Sequence, residues 1–434
     1  AMLSIVILCL VRLLMIFVYD TYRARVRKVQ KRMRVLVYGL SDKSAATVTR
    51  LRNSPHYEVV GFISADKELG ETMFADKRVY TFGSREDFER DVDALSLGGV
   101  IFATEDDVQR EQNNLVSLCI GAGVKVLIVP TIDEVGPGGV ENRFNVREVK
   151  IEDLLGRDEI KISLDVIKAQ FKDKVVMVTG AAGSIGSELC RQLAGFGIKK
   201  LVLYDNAETP MHNLRLELEA KFPDLDFVPI IGDVRLQPRL DYAFRTWRPQ
   251  VVFHAAAYKH VPLMEENPCE AVFVNVVGSR YVADKCVEYG VEKMVMISTD
   301  KAVNPTNIMG CTKRLAEIYV QSLGLAIEAG KTPGKTKFVT TRFGNVLGSN
   351  GSVIPRFRSQ IASGGPVTVT DPNITRFFMT IPEACRLVME AATLDTENRI
   401  CVFDMGHPVK IDTLARRMIE LSGLVPDKDI KVVY

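Results

Sequence analysis

Three glycines and an acid in this sequence have the spacing that holds a dinucleotide. The apolar stretch VVMVTG, which predicts a strand, runs into Gly180, Gly183 and Gly186, and the helical pattern SELCRQLAGFG follows. The first glycine permits a tight turn, the second lets a pyrophosphate lie against the backbone at a helix N-terminus, and the third lets the helix pack on the strand. Ser184 and Ile185 lie in the same turn, and we expect them to border the phosphates. Glycines that only make a turn are the alternative, but strand, helix and acid occur here together.

The acid is Asp205, which ends the strand pattern LVLYD about 20 residues after the last glycine. Its carboxylate can accept hydrogen bonds from both hydroxyls of a ribose, and it repels a 2′-phosphate. Asn206 follows, where an NADP enzyme often has a cation, so the pattern favours NAD. Further positions expected to line the dinucleotide are Asp233 and Val234 at the adenine edge, and Ala255, Ala256 and Ala257 on the nicotinamide side.

A second group of polar residues follows the strand pattern KMVMIS, beginning with Thr299-Asp300-Lys301. Ligands bind at the carboxyl ends of strands in parallel sheets. Further along, Met309-Gly-Cys-Thr-Lys313 opens a helix at the place where short-chain dehydrogenases have Tyr-x-x-x-Lys. There the lysine holds the nicotinamide ribose and the tyrosine takes the proton of the substrate hydroxyl. Methionine cannot carry a proton, so this chain departs from the pattern. The alternatives are that Asp300 caps the next segment and that Lys301 is a solvated loop residue.

A parallel sheet is needed to bring these residues to one edge. Seven apolar runs predict its strands, namely VVMVTG, KLVLYD, DFVPIIGDV, VVFHAA, KMVMIST, KFVTTRFG and CVFDMG. Helical patterns lie between them, and this alternation predicts an α/β fold with a doubly wound parallel sheet. We assign this Rossmann catalytic domain to residues 173–434.

A smaller Rossmann-like α/β domain is predicted for residues 33–135, with strands RVLVYG, EVVGFIS, GVIFAT and VKVLIVP. Its first turn has Ser41 and Ser44 where glycines would let a pyrophosphate approach. We therefore expect a degenerate domain that is non-binding or regulatory, with a bound nucleotide as the alternative. Residues 136–172 predict a linker with one docking helix.

The first 32 residues predict an apolar helix at a membrane. Residues 2–19 are nearly all apolar, interrupted by Arg12, and seven basic residues without an acid follow between Arg23 and Arg34. The apolar stretch would span about 27 Å as a helix, just short of a bilayer core. Basic residues after such a span lie on the cytoplasmic side, attracted by anionic lipid. We expect a transmembrane or membrane-associated helix, with a buried or interfacial helix as the alternative.

The composition fits a packed globular chain, because hydrophobic residues make up 47% and charged residues only 25%. The net charge of +2 gives no reason to expect a nucleic-acid partner. The eight cysteines are scattered without a CxxC pair or a Cys/His cluster, so we expect reduced thiols in a cytosolic setting and no metal site.

Five segments of the second domain carry a resemblance to a known superfamily: TGAAGSIGSEL, HAAAYKHVPLMEENPCEAVFVNVVGS, STDKAVNPTNIMGCTKRLAE, RFGNVLGSNGSVIPRF and TRFFMTIPEA. They occur in the right order and cover most of residues 174–390. The chain resembles the extended short-chain dehydrogenase/reductase superfamily, and within it the large, membrane-anchored UDP-N-acetylglucosamine 4,6-dehydratases of bacterial glycan biosynthesis. The N-terminal span, the degenerate domain and the LLGR linker resemble the long form of that family, whose members carry methionine at position 309.

The resemblance implies roles for the polar residues in a redox-neutral elimination. NAD takes hydride from C4 of the sugar, the ketone acidifies the C5 proton, the C6 hydroxyl leaves, and the hydride returns to C6. Asp300 would be the acid for C6, Lys301 the C5 base in a neutral form favoured by burial and by the positive nicotinamide ring, and Thr299 a hydrogen-bond partner of O4. Lys313 would hold the ribose. With Met309 present, the O4 proton would pass through Thr299 to water or through a water relay alone.

Three further contacts are implied by the resemblance. Lys259 would touch cofactor and substrate, Asn345 the sugar or phosphate, and Arg376 the diphosphate, with a structural ion pair as the alternative for Arg376. The family has an Arg-Pro-Gly-Glu-Lys segment that helps to hold the diphosphate, and it would fall just after Tyr434. We therefore expect the C-terminal end of the catalytic domain to be truncated.

The implied reaction converts UDP-GlcNAc to UDP-2-acetamido-2,6-dideoxy-4-keto-hexose with the C5 configuration retained. The resemblance also implies a homo-oligomer at the bacterial inner membrane, with lipid contacts through the N-terminal helix and the catalytic domain facing the cytoplasm. One alternative is a nucleotide-sugar 4-epimerase, which needs no acid–base pair such as Asp300 and Lys301. The other is a non-catalytic nucleotide-sensing regulatory protein, which the missing tyrosine would support.

Overall fold

The computed structural model describes residues 32–129 apart from 53, 70, 71 and 113, then 146–149, then 164–434 apart from 395–397, and the single positions 12 and 15. The predicted membrane segment and most of the predicted linker lie outside these residues. Within them, no helix has both the length and the apolar character that crossing a membrane requires. The chain divides into two compact units, residues 1–156 with 416–431 and residues 157–415 with 432–434.

The first unit contains one sheet with the strand order β3-β4-β2-β1-β5-β6-β7. Its strands are β1 (Met33–Tyr38), β2 (Tyr57–Ser64), β3 (Met73–Phe74), β4 (Lys77–Thr81), β5 (Gly99–Phe102), β6 (Lys125–Ile128) and β7 (Arg147–Glu148). Its helices are α1 (Asp42–Leu51), α2 (Arg85–Leu95), α3 (Glu105–Arg110) and α4 (Leu115–Gly121). The five central strands are parallel, and only the short edge strands β3 and β7 pair antiparallel. The fold is Rossmann-like, as predicted.

The second unit contains a seven-stranded parallel sheet in the order β10-β9-β8-β11-β12-β13-β18. Its strands, with the short pairs beside them, are β8 (Val175–Thr179), β9 (Lys200–Asp205), β10 (Phe227–Ile231), β11 (Val251–His254), β12 (Lys293–Thr299), β13 (Lys337–Phe343), β14 (Asn345–Val346), β15 (Val367–Thr368), β16 (Thr375–Arg376), β17 (Phe378–Met379), β18 (Arg399–Val402), β19 (Val409–Lys410) and β20 (Val432–Val433). The seven strands predicted from the sequence are the seven strands of this parallel sheet. The last ends at Val402 rather than near Gly406, because Asp404 accepts the Gly406 N–H and turns the chain.

Helices cover both faces of this sheet. The helices of this part of the chain are α5 (Leu164–Phe171), α6 (Ser184–Ala194), α7 (Glu208–Lys221), α8 (Gln237–Trp247), α9 (Val261–Glu266), α10 (Pro268–Ala271), a π-helix (Val272–Gly278), α11 (Ser279–Glu288), α12 (Ile308–Glu328), α13 (Val353–Ala362), α14 (Ile381–Thr393) and α15 (Ile411–Leu421), whose residues from 416 belong to the first unit. Along β8, Val176 and Val178 pack in the cluster under α6, whereas Met177 packs in the cluster under α8 and α11. This alternation buries both faces.

The strand order reverses between β8 and β11, since the chain runs outward from β8 to β10 and then crosses back to β11. Ligands bind at such a switch point, outside the carboxyl ends of the strands. The residues predicted to act on ligands follow the carboxyl ends of β8, β9, β11 and β12, so the topology brings them to one edge.

Candidate active site

The turn after β8 leaves no room for side chains at two glycines. Gly180 has φ of +70°, and a β-carbon there would lie 2.5 Å from the backbone nitrogen of Ala256. A β-carbon on Gly186 would lie 1.9 Å from the Gly180 carbonyl oxygen. Helix α6 therefore starts directly against the strand, as a dinucleotide turn requires. Ile185 is partly buried and packs against the hydrophobic core of this unit.

The N-terminus of α6 is suited to an anion, whereas that of α1 is not. Gly183 is the N-cap of α6 and supplies no side-chain acceptor for the first N–H groups. In the first unit, Ser41 caps α1 by accepting the N–H of Ser44 at 3.2 Å, and the Ser44 hydroxyl donates to the Tyr38 carbonyl. A self-capped helix has fewer donors left for a phosphate. This contrast supports the prediction that the first domain is degenerate.

One cleft collects nine of the fourteen positions predicted to hold a cofactor: Gly180, Gly183, Asp205, Asn206, Asp233, Val234, Ala255, Ala256 and Ala257. Asp205 lies at the end of β9, and its carboxylate accepts the N–H groups of Ala182 and Ala207, each at 2.9 Å. A carboxylate has about four acceptor positions, so two stay available to ribose hydroxyls. The cleft therefore fits a dinucleotide, with its acid pre-oriented by backbone donors.

Asp233 forms an ion pair with Arg235, a residue that was not among the predicted site residues. Arg235 donates to both of its carboxylate oxygens, at 3.0 and 2.7 Å, and Asn206 donates to it at 3.3 Å. These bonds, with that of Arg235 first, lower the pKa of Asp233. Asp233 is thus a fixed carboxylate at the cleft wall. Arg235 was detectable only as a basic residue two positions away.

The turn after β12 forms a connected polar cluster. The Thr299 hydroxyl donates to Asp300 Oδ1 at 2.9 Å, and Lys301 Nζ lies 3.0 Å from the same oxygen. Lys301 Nζ also donates to Asn345 Oδ1 at 3.1 Å. The side chains of Asp300 and Lys301 are 39% and 30% exposed, so both can meet a ligand. The Lys301 side chain is thus less buried than expected, and its closest charged contact is the Asp300 carboxylate.

Lys313 is buried one helical turn into α12. Its ammonium donates to the Ile297 carbonyl at 2.6 Å, and the residue is 5% exposed. Burial lowers its pKa to about 8, against a smaller opposing effect of Glu317. His254 lies at the end of β11, bonded to Thr179 and Ser279, and burial lowers its pKa to about 3. His254 is therefore a neutral core residue.

Met309 is a packing residue, 3% exposed, in a hydrophobic cluster with Met264 and Ala271. The position that carries tyrosine in related enzymes is thus occupied by an apolar anchor for the start of α12. A second anchor is Glu265, which accepts the N–H of Ile308 at 2.7 Å. Met309 therefore has a structural place in the fold and offers no group that could transfer a proton.

We expect Met309→Leu to retain turnover within a few-fold of the unmodified protein. Leucine has a similar volume, and such swaps usually cost less than about 1.5 kcal/mol. Met309→Ala should instead lower the free energy of unfolding by about 2–4 kcal/mol, because it leaves a cavity. Urea unfolding and product formation measure the two effects. A large loss of turnover in stably folded Met309→Leu would show that the sulfur itself acts in the site.

The loop that carries Lys259 is held by a buried amide that the sequence reading did not identify. Asn275 accepts the Tyr258 N–H at 2.8 Å and donates to the Tyr258 carbonyl and to Thr312 Oγ1, each at 3.0 Å. Asn275 lies in the π-helix, an element often found at functional sites, and sequence alone gives no signal for it. Lys259 is exposed on this loop, and the protein atoms around its ammonium lower its pKa.

Two further predicted residues, Ser184 and Arg376, contact other parts of the protein. Ser184 Oγ accepts the N–H of Asn350 at 3.2 Å, so its hydroxyl binds a loop of the protein. Arg376 donates to the Thr375 carbonyl, and no acid of the described chain forms an ion pair with it, so the alternative of a structural ion pair finds no support there.

The sequence of the second unit matches a known family. Residues 176–434 fit the family model described as polysaccharide biosynthesis protein. The chain belongs to this family. The capsular polysaccharide biosynthesis protein CapD of Staphylococcus aureus is 42% identical over 401 residues, which are 92% of this chain and 66% of CapD. This polysaccharide biosynthesis protein therefore spans just under two thirds of that relative.

Two other relatives bear on the type of enzyme. The UDP-glucose 4-epimerase of Rickettsia conorii is 39% identical over 225 residues, covering 51% of this chain and 63% of the epimerase. The X-ray structure of Pen from Bacillus thuringiensis superposes with a TM-score of 0.56 and 32% identity over 60% of this chain and 80% of Pen. The resemblance to a family of polysaccharide biosynthesis proteins is confirmed, and the relatives above 30% identity include a nucleotide-sugar 4-epimerase.

Proposed function

We propose that this polysaccharide biosynthesis protein is an NAD-dependent 4,6-dehydratase that converts UDP-GlcNAc to UDP-2-acetamido-2,6-dideoxy-4-keto-hexose. The observation that carries the proposal is the hydrogen-bonded cluster of Thr299, Asp300, Lys301 and Asn345 at the carboxyl end of β12. The cluster supplies a hydroxyl, a carboxylate and an amine at the edge of the sheet where the dinucleotide cleft opens. Oxidation at C4 needs an acceptor for the O4 proton, and elimination of water across C5 and C6 needs a base and an acid.

The cleft residues would hold the cofactor. The free N–H groups at the start of α6 would bind the pyrophosphate, Asp205 the adenosine ribose, and Lys313 the nicotinamide ribose. Bound NAD would supply a reversible acceptor for hydrogen, taken from C4 and given back to C6. Ala255 and Ala256 border the same cleft with small side chains, which leaves room for a flat ring.

The proton of the C4 hydroxyl has a path through the cluster despite the missing tyrosine. The Thr299 hydroxyl already donates to Asp300. A proton received from O4 can therefore pass through Thr299 to the carboxylate, which becomes the acid that protonates the departing C6 hydroxyl. The proton lost from O4 then leaves in the product water, so Asp300 returns to its starting form. This arrangement favours the relay through Thr299 over a relay of water alone.

Lys301 is the base that removes the proton from C5 and later returns one. It must enter as an amine, take the C5 proton during elimination, and return a proton to C5 when hydrogen comes back to C6. Asn345 holds its nitrogen in place. A single base that removes and returns a proton acts on one face of the sugar, which supports retention of configuration at C5.

Incubation of the protein with UDP-GlcNAc in deuterated water tests the proposal. We expect a product one water lighter, with deuterium at C5 and unchanged configuration, measured by mass spectrometry and NMR. A C4 epimer would instead establish the epimerase hypothesis, which is supported by the similarity to the Rickettsia conorii epimerase. Absence of turnover in the full-length protein would support the regulatory reading. Inverted C5 would reject Lys301 as the only base.

We expect Asp205→Asn to weaken NAD binding about tenfold or more, because it removes the charge that bonds the ribose hydroxyls (about 1.4 kcal/mol per tenfold). The preference for NAD over NADP should shrink by a similar factor, since the repulsion of a 2′-phosphate disappears. Fluorescence titration with NADH and NADPH measures both. Asp165→Asn on α5 is the matched control. NADPH bound more tightly than NADH by the unmodified protein would overturn the assignment of Asp205.

We also propose that the N-terminal segment binds the inner membrane, that the catalytic domain faces the cytoplasm, and that the protein forms a homo-oligomer. The apolar residues 2–19 and the basic run after them support the first two points. Exposed apolar side chains on the second unit, among them Phe273 and Leu315 at 52% and 51%, support the third. Vesicle flotation with and without residues 1–32, and light scattering of the detergent-solubilised protein, test these points.

A further inference from the structure

A carboxylate that the proposed mechanism does not use is buried directly behind the catalytic turn. Glu317 on α12 is fully buried and binds three side chains. Its oxygens accept Ser298 Oγ at 2.6 Å, Arg342 at 2.8 and 2.5 Å, and Arg314 at 3.1 Å. A buried ion pair is weak evidence for stability, because apolar residues of similar volume often do as well. Its position therefore points to another role.

Glu317 and Lys313 hold two consecutive residues of the same strand. They lie four residues apart on α12, on one face of the helix. Lys313 bonds the Ile297 carbonyl and Glu317 bonds the Ser298 hydroxyl, and Thr299 comes next. The pairing of β12 with β13 sets Ser298 opposite Arg342, so one carboxylate joins the two strands and the helix.

We propose that Glu317 is a positioning residue that, with Lys313, fixes the end of β12 so that Thr299 and Asp300 face the substrate. This inference rests on the proposed function for its effect on turnover. The carboxylate also places a negative charge one turn from the Lys313 ammonium, which favours the charged lysine against the effect of burial. The charged and titratable groups around this pair are His254 on β11, which burial keeps neutral beside Lys313, and Arg342 on β13 and Arg314 on α12, which both bind Glu317.

Ser298→Ala tests the positioning role, because it removes one hydrogen bond and no charge. We expect kcat to fall about tenfold, the factor that 1.4 kcal/mol of misplacement would produce, with KM within about twofold. Ser298→Thr keeps the hydroxyl and should recover most of the loss. Glu328→Gln, an exposed change on the same helix, is the control. Full activity of Ser298→Ala, or no recovery in Ser298→Thr, would overturn the positioning role.

A second measurement detects the electrostatic coupling between Glu317 and Lys313 and needs no substrate. At each pH, the free energy of unfolding of a chain with Lys313→Met is compared with that of the same chain with Lys313 intact. The comparison is made once in the unmodified protein and once in the Glu317→Gln variant. The difference should begin to change near pH 8 in the unmodified chain and at lower pH in Glu317→Gln. Coincident curves would reject the coupling of Glu317 to Lys313. Since this experiment uses no UDP-sugar, it judges the coupling even if the unmodified protein forms another product and the proposed function fails.

Discussion

Asp300→Asn is expected to lower kcat by about 10³-fold while leaving the fold intact. Asparagine keeps the shape and can still accept from Thr299, but it can neither accept the O4 proton nor donate one to the C6 hydroxyl. Positioned acid–base groups contribute about 10²–10⁴-fold, and here one carboxylate serves two proton transfers. The side chain is 39% exposed, so the free energy of unfolding should change by less than about 1 kcal/mol. Asp224→Asn, an exposed change in the same unit, is the control.

The variant also separates two roles for this carboxylate. If Asp300 served only the C6 hydroxyl, oxidation at C4 would still occur, and reduced cofactor would accumulate with absorbance at 340 nm. If Asp300 also receives the O4 proton through Thr299, oxidation itself fails and no absorbance appears when UDP-GlcNAc is added. Our mechanism predicts the second result. Retention of more than a tenth of the normal turnover would exclude Asp300 from both steps.

Lys313→Met is expected to inactivate the enzyme and to stabilise it. Burial lowers the pKa of Lys313 from 10.5 to about 8, which corresponds to about 3 kcal/mol of cost for the charged lysine at neutral pH. Methionine fills similar space without the charge. The lost hydrogen bond to the Ile297 carbonyl offsets part of the gain, about 1–2 kcal/mol. We therefore expect the free energy of unfolding at pH 7 to rise by about 1–2 kcal/mol.

The pH dependence of this gain has a definite sign. Between pH 8 and 10.5 the unfolded chain keeps the proton of Lys313 while the folded chain has lost it. The unmodified protein therefore becomes more stable with rising pH in this window, and the advantage of Lys313→Met shrinks. Urea unfolding from pH 7 to 10 measures this, with Lys331→Met at an exposed site as the control. If Lys313→Met were less stable than the unmodified protein at pH 7, the contacts of the Lys313 ammonium would outweigh the cost of burying its charge.

Much of the fold was readable from local sequence. The seven strands of the second unit have apolar runs of the right length, and the glycine turn after β8 has residues that only this geometry requires. Edge strands such as β3 and β7 were missed. They have two residues each, too few for a period-two pattern, and their pairing depends on the neighbouring strand rather than on their own composition.

The sequence by itself determined the chemistry available to this protein: the dinucleotide turn, the acid at the end of β9, and the hydroxyl, carboxyl and amine after β12. Only the tertiary structure decided which side chains meet. Because β12 and β13 pair with Thr299 opposite Phe343, Lys301 and Asn345, each two residues further on, come within 3.1 Å. The same register joins Ser298 and Arg342 at Glu317. Local patterns encode elements, whereas contacts between distant positions follow from strand register and packing, which no single segment contains.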